Sequence, residues 1–277
     1  MRRIFFAVAV VFFAIGAIVV CAQEAQTPAS ILPAASRSQA DCTGFIASSR
    51  LSDDLSVIGG ADDDIHSVVR EFVPGESVFL SSRAHNGVKV GAEYSVLRSA
   101  DAIFHTERYS GQRGDVRKLG QPYEDVGRAT ITHVNSAGVV ARVTFACSPV
   151  LTGDLLLPFE SRPIPEYEVR PPLDHFAPLV PDKPQGIVVG AQENFGFIRN
   201  ANVVYLNLGQ DARVKPGDRF RVFRQISLHE TSLFGKHMTP PEVLGEVVVL
   251  TVQPKSCVGI VVDSYREIWA GDGVQLE

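Results

Sequence analysis

The chain lacks an excess of positive charge: 26 Lys and Arg stand against 31 Asp and Glu, a formal net charge of −5. A nucleic-acid binder needs basic surface to displace counterions from phosphates, so this balance argues against that class and against broad adsorption to anionic lipid. The common enzyme signatures are missing as well. There is no nucleophile elbow, no His-Glu-x-x-His, no Walker loop and no Gly-rich dinucleotide turn. The histidines are scattered, and no two stand at metal-ligand spacing with a Cys or carboxylate beside them. His133 falls in a strand pattern, where a hydrogen-bonded structural role is the base expectation. Asp62-Asp63-Asp64 lacks the spaced Asp-x-Asp-x-Asp-Gly order of a calcium loop and reads as a solvated charge run. No catalytic residue, metal or cofactor is expected. Helix signals are also few: a short helix from Asp62 to Phe72, capped by Asp, is the only candidate.

Cysteine occurs four times and tryptophan once. Cys21 lies in an uncharged apolar run, Ile4 to Ala22, that follows Arg2 and Arg3. This is the order of a secretory signal, with Val20 and Ala22 as the small residues before a cleavage near Gln23. Retention of the run as a membrane anchor is the rival reading. Lipidation of Cys21 is a third, to which the preceding Val20 is poorly suited. Each fate places the rest of the chain outside the cytoplasm, in the periplasm or cell envelope of a bacterium. Cys42, Cys147 and Cys257 then meet an oxidising compartment, where at most one internal bridge can form. Either all three are buried thiols, or Cys42 joins Cys147. The second reading follows from Cys257, which shares one face of an apolar strand pattern with Gly259 and Val261.

What is abundant is apolar and β-branched sequence. Hydrophobic residues make up 45% of the 277 positions, enough to bury a core. Residues 23–40, rich in Ala, Ser, Pro and Gln, read as a flexible tether. Residues 161–185 carry seven of the 17 prolines and read as a stiff linker, because Pro fixes φ and removes a donor. The segments on either side of that linker match each other. Glu76 to Arg98 aligns without gaps to Asn202 to Arg224, sharing a Val-Lys-x-Gly core and the closing Arg. Val126 to Asp154 aligns to Leu244 to Asp272, sharing Gly127 with Gly245 and Gly153-Asp154 with Gly271-Asp272. Upstream, Val57-Ile58-Gly59 resembles Val188-Val189-Gly190. Between the matched blocks, residues 99–125 face residues 225–243, and this difference in length reads as a variable loop.

The matched blocks have strand character. Phe220, Val222 and Arg224 alternate with Arg219, Arg221 and Phe223, and Val247 to Val252 is a continuous run suited to a strand buried on both sides. Gly91, Gly217-Asp218, Gly153-Asp154 and Gly271-Asp272 read as structural turns, with Asp bonding nearby backbone N–H groups. The expected fold is all-β: two tandem copies of a small SH3-like or partly open β-barrel domain behind an N-terminal signal or anchor helix. The expected boundaries are 1–22 for the signal peptide or anchor and 23–40 for the tether. The first β-domain with its N-terminal extension takes 41–160, the linker 161–185 and the second β-domain 186–277.

Val204-Tyr-Leu-Asn-Leu-Gly, then Val214-Lys-Pro-Gly-Asp218, Leu244-Gly-Glu246 and Gly271-Asp-Gly-Val274 resemble the C-terminal domain of flagellar assembly protein T. They also resemble related bacterial envelope proteins, some labelled LysM-containing. The first copy departs from the pattern, with Ser81 in place of Asn207 and Ala92 in place of Asp218. The resemblance implies a periplasmic module used for assembly or docking, with envelope proteins as partners. The alternative is a cell-wall protein that binds peptidoglycan or another glycan. Membrane contact is expected only through an uncleaved N-terminal segment. Phe234, Tyr265 and Trp269 are the candidate binding surface, since exposed aromatics anchor interfaces.

Overall fold

The computed structural model describes residues 30–60, 71–81, 87–104, 106–192, 196–229 and 236–277. The expected signal or anchor segment, most of the candidate helix after Asp62, and Phe234 lie outside the described residues. Phe72, at the end of that candidate helix, forms a β-bridge with Val150 instead. Among the described residues no helix is long and apolar enough to cross a membrane.

The N-terminal part runs through strand β1 (Ile31–Pro33), helix α1 (Arg37–Asp41), and strands β2 (Phe45–Ala47), β3 (Val57–Gly60), β4 (Ser77–Leu80) and β5 (Glu93–Ser99). Helix α2 (Gln112–Leu119) follows, then β6 (Gln121–Asn135), β7 (Gly138–Ala146) and β8 (Leu155–Pro158). After β9 (Glu166–Glu168) the C-terminal part is built from β10 (Gln185–Ala191), β11 (Val203–Leu206), β12 (Arg219–Arg224), β13 (Ser227–His229), β14 (Lys236–Met238), β15 (Glu242–Val252), β16 (Cys257–Ser264) and β17 (Gly273–Leu276).

The C-terminal strands close a six-stranded barrel in the order β10-β11-β16-β15-β12-β17. The N-terminal strands form a sheet in the order β3-β4-β7-β6-β5-β8, with β2 added on β6. This sheet is also nearly a ring, because Ser56 bridges to Leu155. Each ring is filled from its inner face. Val57, Val78, Leu80, Val96, Ile131 and Val143 pack in the first. Val188, Val204, Leu206, Val222, Val249 and Val261 pack in the second. Curvature comes from paired irregularities: a bulge between Val57 and Gly59 and one between Val188 and Gly190 bend the strands that close each ring.

Two stretches expected to be flexible or spacing are instead part of the body. From Ser30 onward the expected tether is ordered: β1 pairs antiparallel with β9, and Ala34 and Ala35 are buried against Val248, Leu250 and Ile260. The physical reason lies in β15. A strand apolar on both faces needs a cover outside as well as a core inside, and small Ala residues pack closely there. The expected linker runs along the barrel as a strap. Glu168 O accepts from Arg219 Nη1 at 2.6 Å, and the Gln275 amide exchanges two 2.8 Å bonds with the backbone of Val180. Its prolines suit this role, since an edge strand loses no ladder bond to them.

A disulfide joins Cys42 to Cys147, tying the end of α1 to the end of β7. On the chain-entropy account a cross-link over a loop of this length contributes about 4–5 kcal/mol. Cys257 stays a thiol in the barrel core, where burial pushes its pKa up and leaves it inert.

Candidate functional site

The insert between β5 and β6, which the sequence marks as a variable loop, holds α2. Gln112, Val116 and Leu119 recur at helical spacing and form its buried face. Arg117 and Lys118 lie in its last turn, favourably placed against the helix dipole. That buried face does not point to solvent. It packs with Ile46 and Phe104 onto Val189, Val203, Tyr205 and Val258, the outward side of β10, β11 and β16. Polar contacts fix the register. Gln112 Nε2 donates to Val189 O at 2.7 Å, Tyr205 Oη donates to Thr43 O at 3.0 Å, and Ser256 Oγ donates to Ile46 O at 3.2 Å. Gln192 also donates to Cys42 O beside the disulfide. Gly44 is demanded here twice over: its φ is +64°, and a Cβ would lie 2.5 Å from Tyr123 O and 3.0 Å from Tyr205 Oη. Burial raises the pKa of the Tyr205 phenol, so it stays a neutral donor.

A groove of about 370 Å³ opens along this seam, with Cys42, Cys147, Gln192 and Asn202 in its wall. A wider one of about 540 Å³ is lined by Leu97, by Pro163 of the strap, and by Leu250 and Val252 of the barrel. Among the described residues no group of three or more His, Cys, Asp or Glu is disposed to hold a metal ion.

The expected aromatic surface is divided. Trp269 is half-exposed (50%) and lies under the Arg224 guanidinium, whose carbon is 4.7 Å from the ring centroid. Arg224 is itself fixed, because its Nε and Nη2 donate to the two oxygens of Asp272 at 2.7 Å each. Asp272 Oδ2 also accepts from Trp269 N at 2.7 Å, so one buried carboxylate holds both partners of the stack. This bidentate bond raises the Arg224 pKa. The ring of Tyr109, from the insert before α2, lies over Gly271 in the same turn; a Cβ there would be 3.2 Å from Tyr109 Cγ. Tyr265 serves elsewhere: its hydroxyl accepts from Leu173 N of the strap at 3.4 Å.

The structural turns are built as tight corners. Gly91, Gly153, Gly217 and Gly271 all have φ between +85° and +100°, open only to glycine without strain. Asp154 Oδ2 accepts from Leu151 N and Asp218 Oδ2 from Lys215 N. What the sequence did not single out is the charge held in the barrel wall. Arg219 Nη2 meets Glu246 Oε2 at 2.8 Å with both side chains buried. Burial raises the Glu246 pKa above the usual carboxylate range, opposed by Arg219. A charge in an otherwise apolar strand run, Val243 to Val252, was the signal available.

Comparison with protein-family models and with curated proteins returns no match.

Proposed function

We propose that this is an exported cell-envelope protein, made of two copies of one small β-domain, that works as a docking or assembly module and not as a catalyst. The observation that carries the reading is an interface already made inside the chain. The outward face of β10, β11 and β16 receives a helical insert from the other unit through an apolar patch and a few aimed hydrogen bonds.

Several correspondences support two copies. Strand orders run in parallel around both rings. Arg98 grips Asp154 with two 2.7 Å bonds, as Arg224 grips Asp272. Gly91 N bonds Ile131 O and Gly217 N bonds Val249 O, the same cross-ring link. One pair is kept with its signs exchanged: Glu93 meets Arg128 at 3.7 Å where Arg219 meets Glu246. Export is supported by the basic and apolar N-terminus and by the Cys42–Cys147 disulfide, a bond that persists in oxidising compartments. The kinship proposed is with the C-terminal domain of flagellar assembly protein T and related envelope proteins, on the motifs given above.

Cross-linking in the native envelope followed by mass spectrometry tests the docking reading. Specific protein partners captured on the chain uphold it, and capture of glycan fragments alone overturns it. The half-exposed Trp269 favours a second reading, peptidoglycan or glycan binding, since a rigid indole face suits a sugar ring. Retention on peptidoglycan at high salt, lost in Trp269→Ala, is its expected result.

A further inference from the structure

Three side-chain amides line the groove of about 370 Å³ at the seam, and each is tied at one end only. Gln39, in α1, accepts from Ser36 N through Oε1 at 3.0 Å. Asn202, just before β11, accepts from Arg199 N through Oδ1 at 3.0 Å. Gln192 donates through Nε2 to Cys42 O. The opposite ends, Gln39 Nε2, Asn202 Nδ2 and Gln192 Oε1, make no hydrogen bond among the described residues. All three residues are half-buried. Each tie fixes the plane of its amide and leaves the far end for a ligand: two donors and one acceptor in all.

The rest of the groove is neutral. Among the described residues no charged side chain lines it, and Phe145 is its one aromatic. The Cys42–Cys147 bridge joins the end of α1, which carries Gln39, to the end of β7, which carries Phe145. The corner that holds Asn202 also differs from its counterpart on the two-copy reading. There Glu76 caps the turn by accepting from Val73 N at 2.8 Å, and Gly75 takes the positive φ, +100°. The turn needs only an acceptor, which a carboxylate supplies. Asn202 supplies one and keeps an NH2 group over. Ala201, in the groove wall, holds a φ of +65° that glycine would adopt without strain.

Two donors and one acceptor complement a secondary amide, whose carbonyl accepts twice and whose N–H donates once. The uncharged wall suits a neutral ligand. The volume lies at the low end for small-ligand sites, which suits a short saccharide better than a length of peptide chain. We propose that this groove binds an N-acetylated amino sugar, its acetamido group held by Gln39, Asn202 and Gln192 and its ring lying against Phe145. The inference rests on the glycan reading above for its ligand class, and moves the contact from Trp269 to the seam.

Titration calorimetry of the full chain with di-N-acetylchitobiose tests this, with cellobiose, the same disaccharide frame without acetamido groups, as the comparison. Gln39→Glu and Asn202→Asp keep the tied oxygen and replace only the free donor, and an unchanged thermal midpoint checks that each variant folds. The wild type is expected to bind the acetylated disaccharide at least tenfold more tightly than cellobiose, and each variant to lose at least tenfold of that affinity. Equal affinity for the two sugars overturns the proposal, as does no binding, or binding that both variants leave intact. Tighter binding of an N-acetyl dipeptide amide than of the disaccharide also overturns it, by giving the groove to a peptide. Peptidoglycan retention that both donor variants keep and Trp269→Ala loses would leave the glycan reading standing while this inference falls.

Discussion

Where the rings close, the two β units differ. β10 and β17 of the barrel pair over Gln185 to Ile187, while Ser56 and Leu155 make a single bridge in the N-terminal ring. The bonds on either side of that point are the same in kind. Gly153 N donates to Val57 O and Gly271 N to Val188 O, both at 2.8 Å. A second difference between the units lies in how each ring is covered and in the charges its wall holds. The barrel is wrapped by β1, the strap and the α2 insert, and its wall holds a buried Arg219–Glu246 pair. In the N-terminal ring Ile58 and Phe79 are exposed, and Glu93 and Arg128, the counterpart of that pair on the two-copy reading, make a looser 3.7 Å contact. On the two-copy reading, one frame of turns and core positions tolerates opposite treatments of its outer surface.

The largest expected effect that separates the units comes from the exchanged charge pair. Arg219→Ala strands the buried Glu246 carboxylate and is expected to cost about 3–5 kcal/mol in denaturant unfolding. Glu93→Ala, at the exposed position that the two-copy reading makes its counterpart, is expected to stay within about 0.5 kcal/mol. Equal costs would break the comparison. The next effect is the disulfide, which has no counterpart in the barrel. Cys42→Ser with Cys147→Ser is expected to lose about 2–5 kcal/mol. Cys257→Val, which installs the residue that Val139 supplies in the other ring, is expected to change stability by less than about 1.5 kcal/mol.

A smaller effect tests the interface hydrogen bond. Tyr205→Phe makes the barrel position resemble Phe79 and removes only the bond to Thr43 O, so a loss of about 1–2 kcal/mol is expected. A loss near zero would mean that apolar contact alone seats the insert. The smallest effect is on pH dependence. Because the folded Glu246 carboxyl has a raised pKa, the native state holds its proton more tightly than the unfolded chain does. Its contribution is fully present below the unfolded value of about 4.3 and is lost as pH rises through the higher folded value. Thermal melts through this window are expected to show a shallower decline with rising pH in Glu246→Gln than in the wild type.

Much of the frame was readable from residue order. Gly-Asp pairs, the closing Arg residues and alternating Val and Phe fix turns and inner faces locally, because they depend on φ, a short side chain and period-two burial. The closed barrel over residues 185–277 follows from these signals. The roles of the Pro-rich segments and of the insert were not readable. Residues 30–40 have no apolar period, since Ala34 and Ala35 act only by fitting against β15. The short buried set Gln112, Val116 and Leu119 includes only two apolar side chains, too few to announce a docking helix. The Trp269 stack was half visible: the sequence offered the lone Trp next to a turn, but not the arginine that lies on it.

The sequence by itself determined the all-β class, the placing of tight corners and the inner face of each strand, because these are set by neighbours in the chain. Only the tertiary structure decided which outer faces are buried, which segments serve as straps, and that Tyr205 is covered while Phe79 is open. Those outcomes depend on contacts between residues more than a hundred positions apart, such as Tyr205 with Thr43. No local pattern of side chains carries that information.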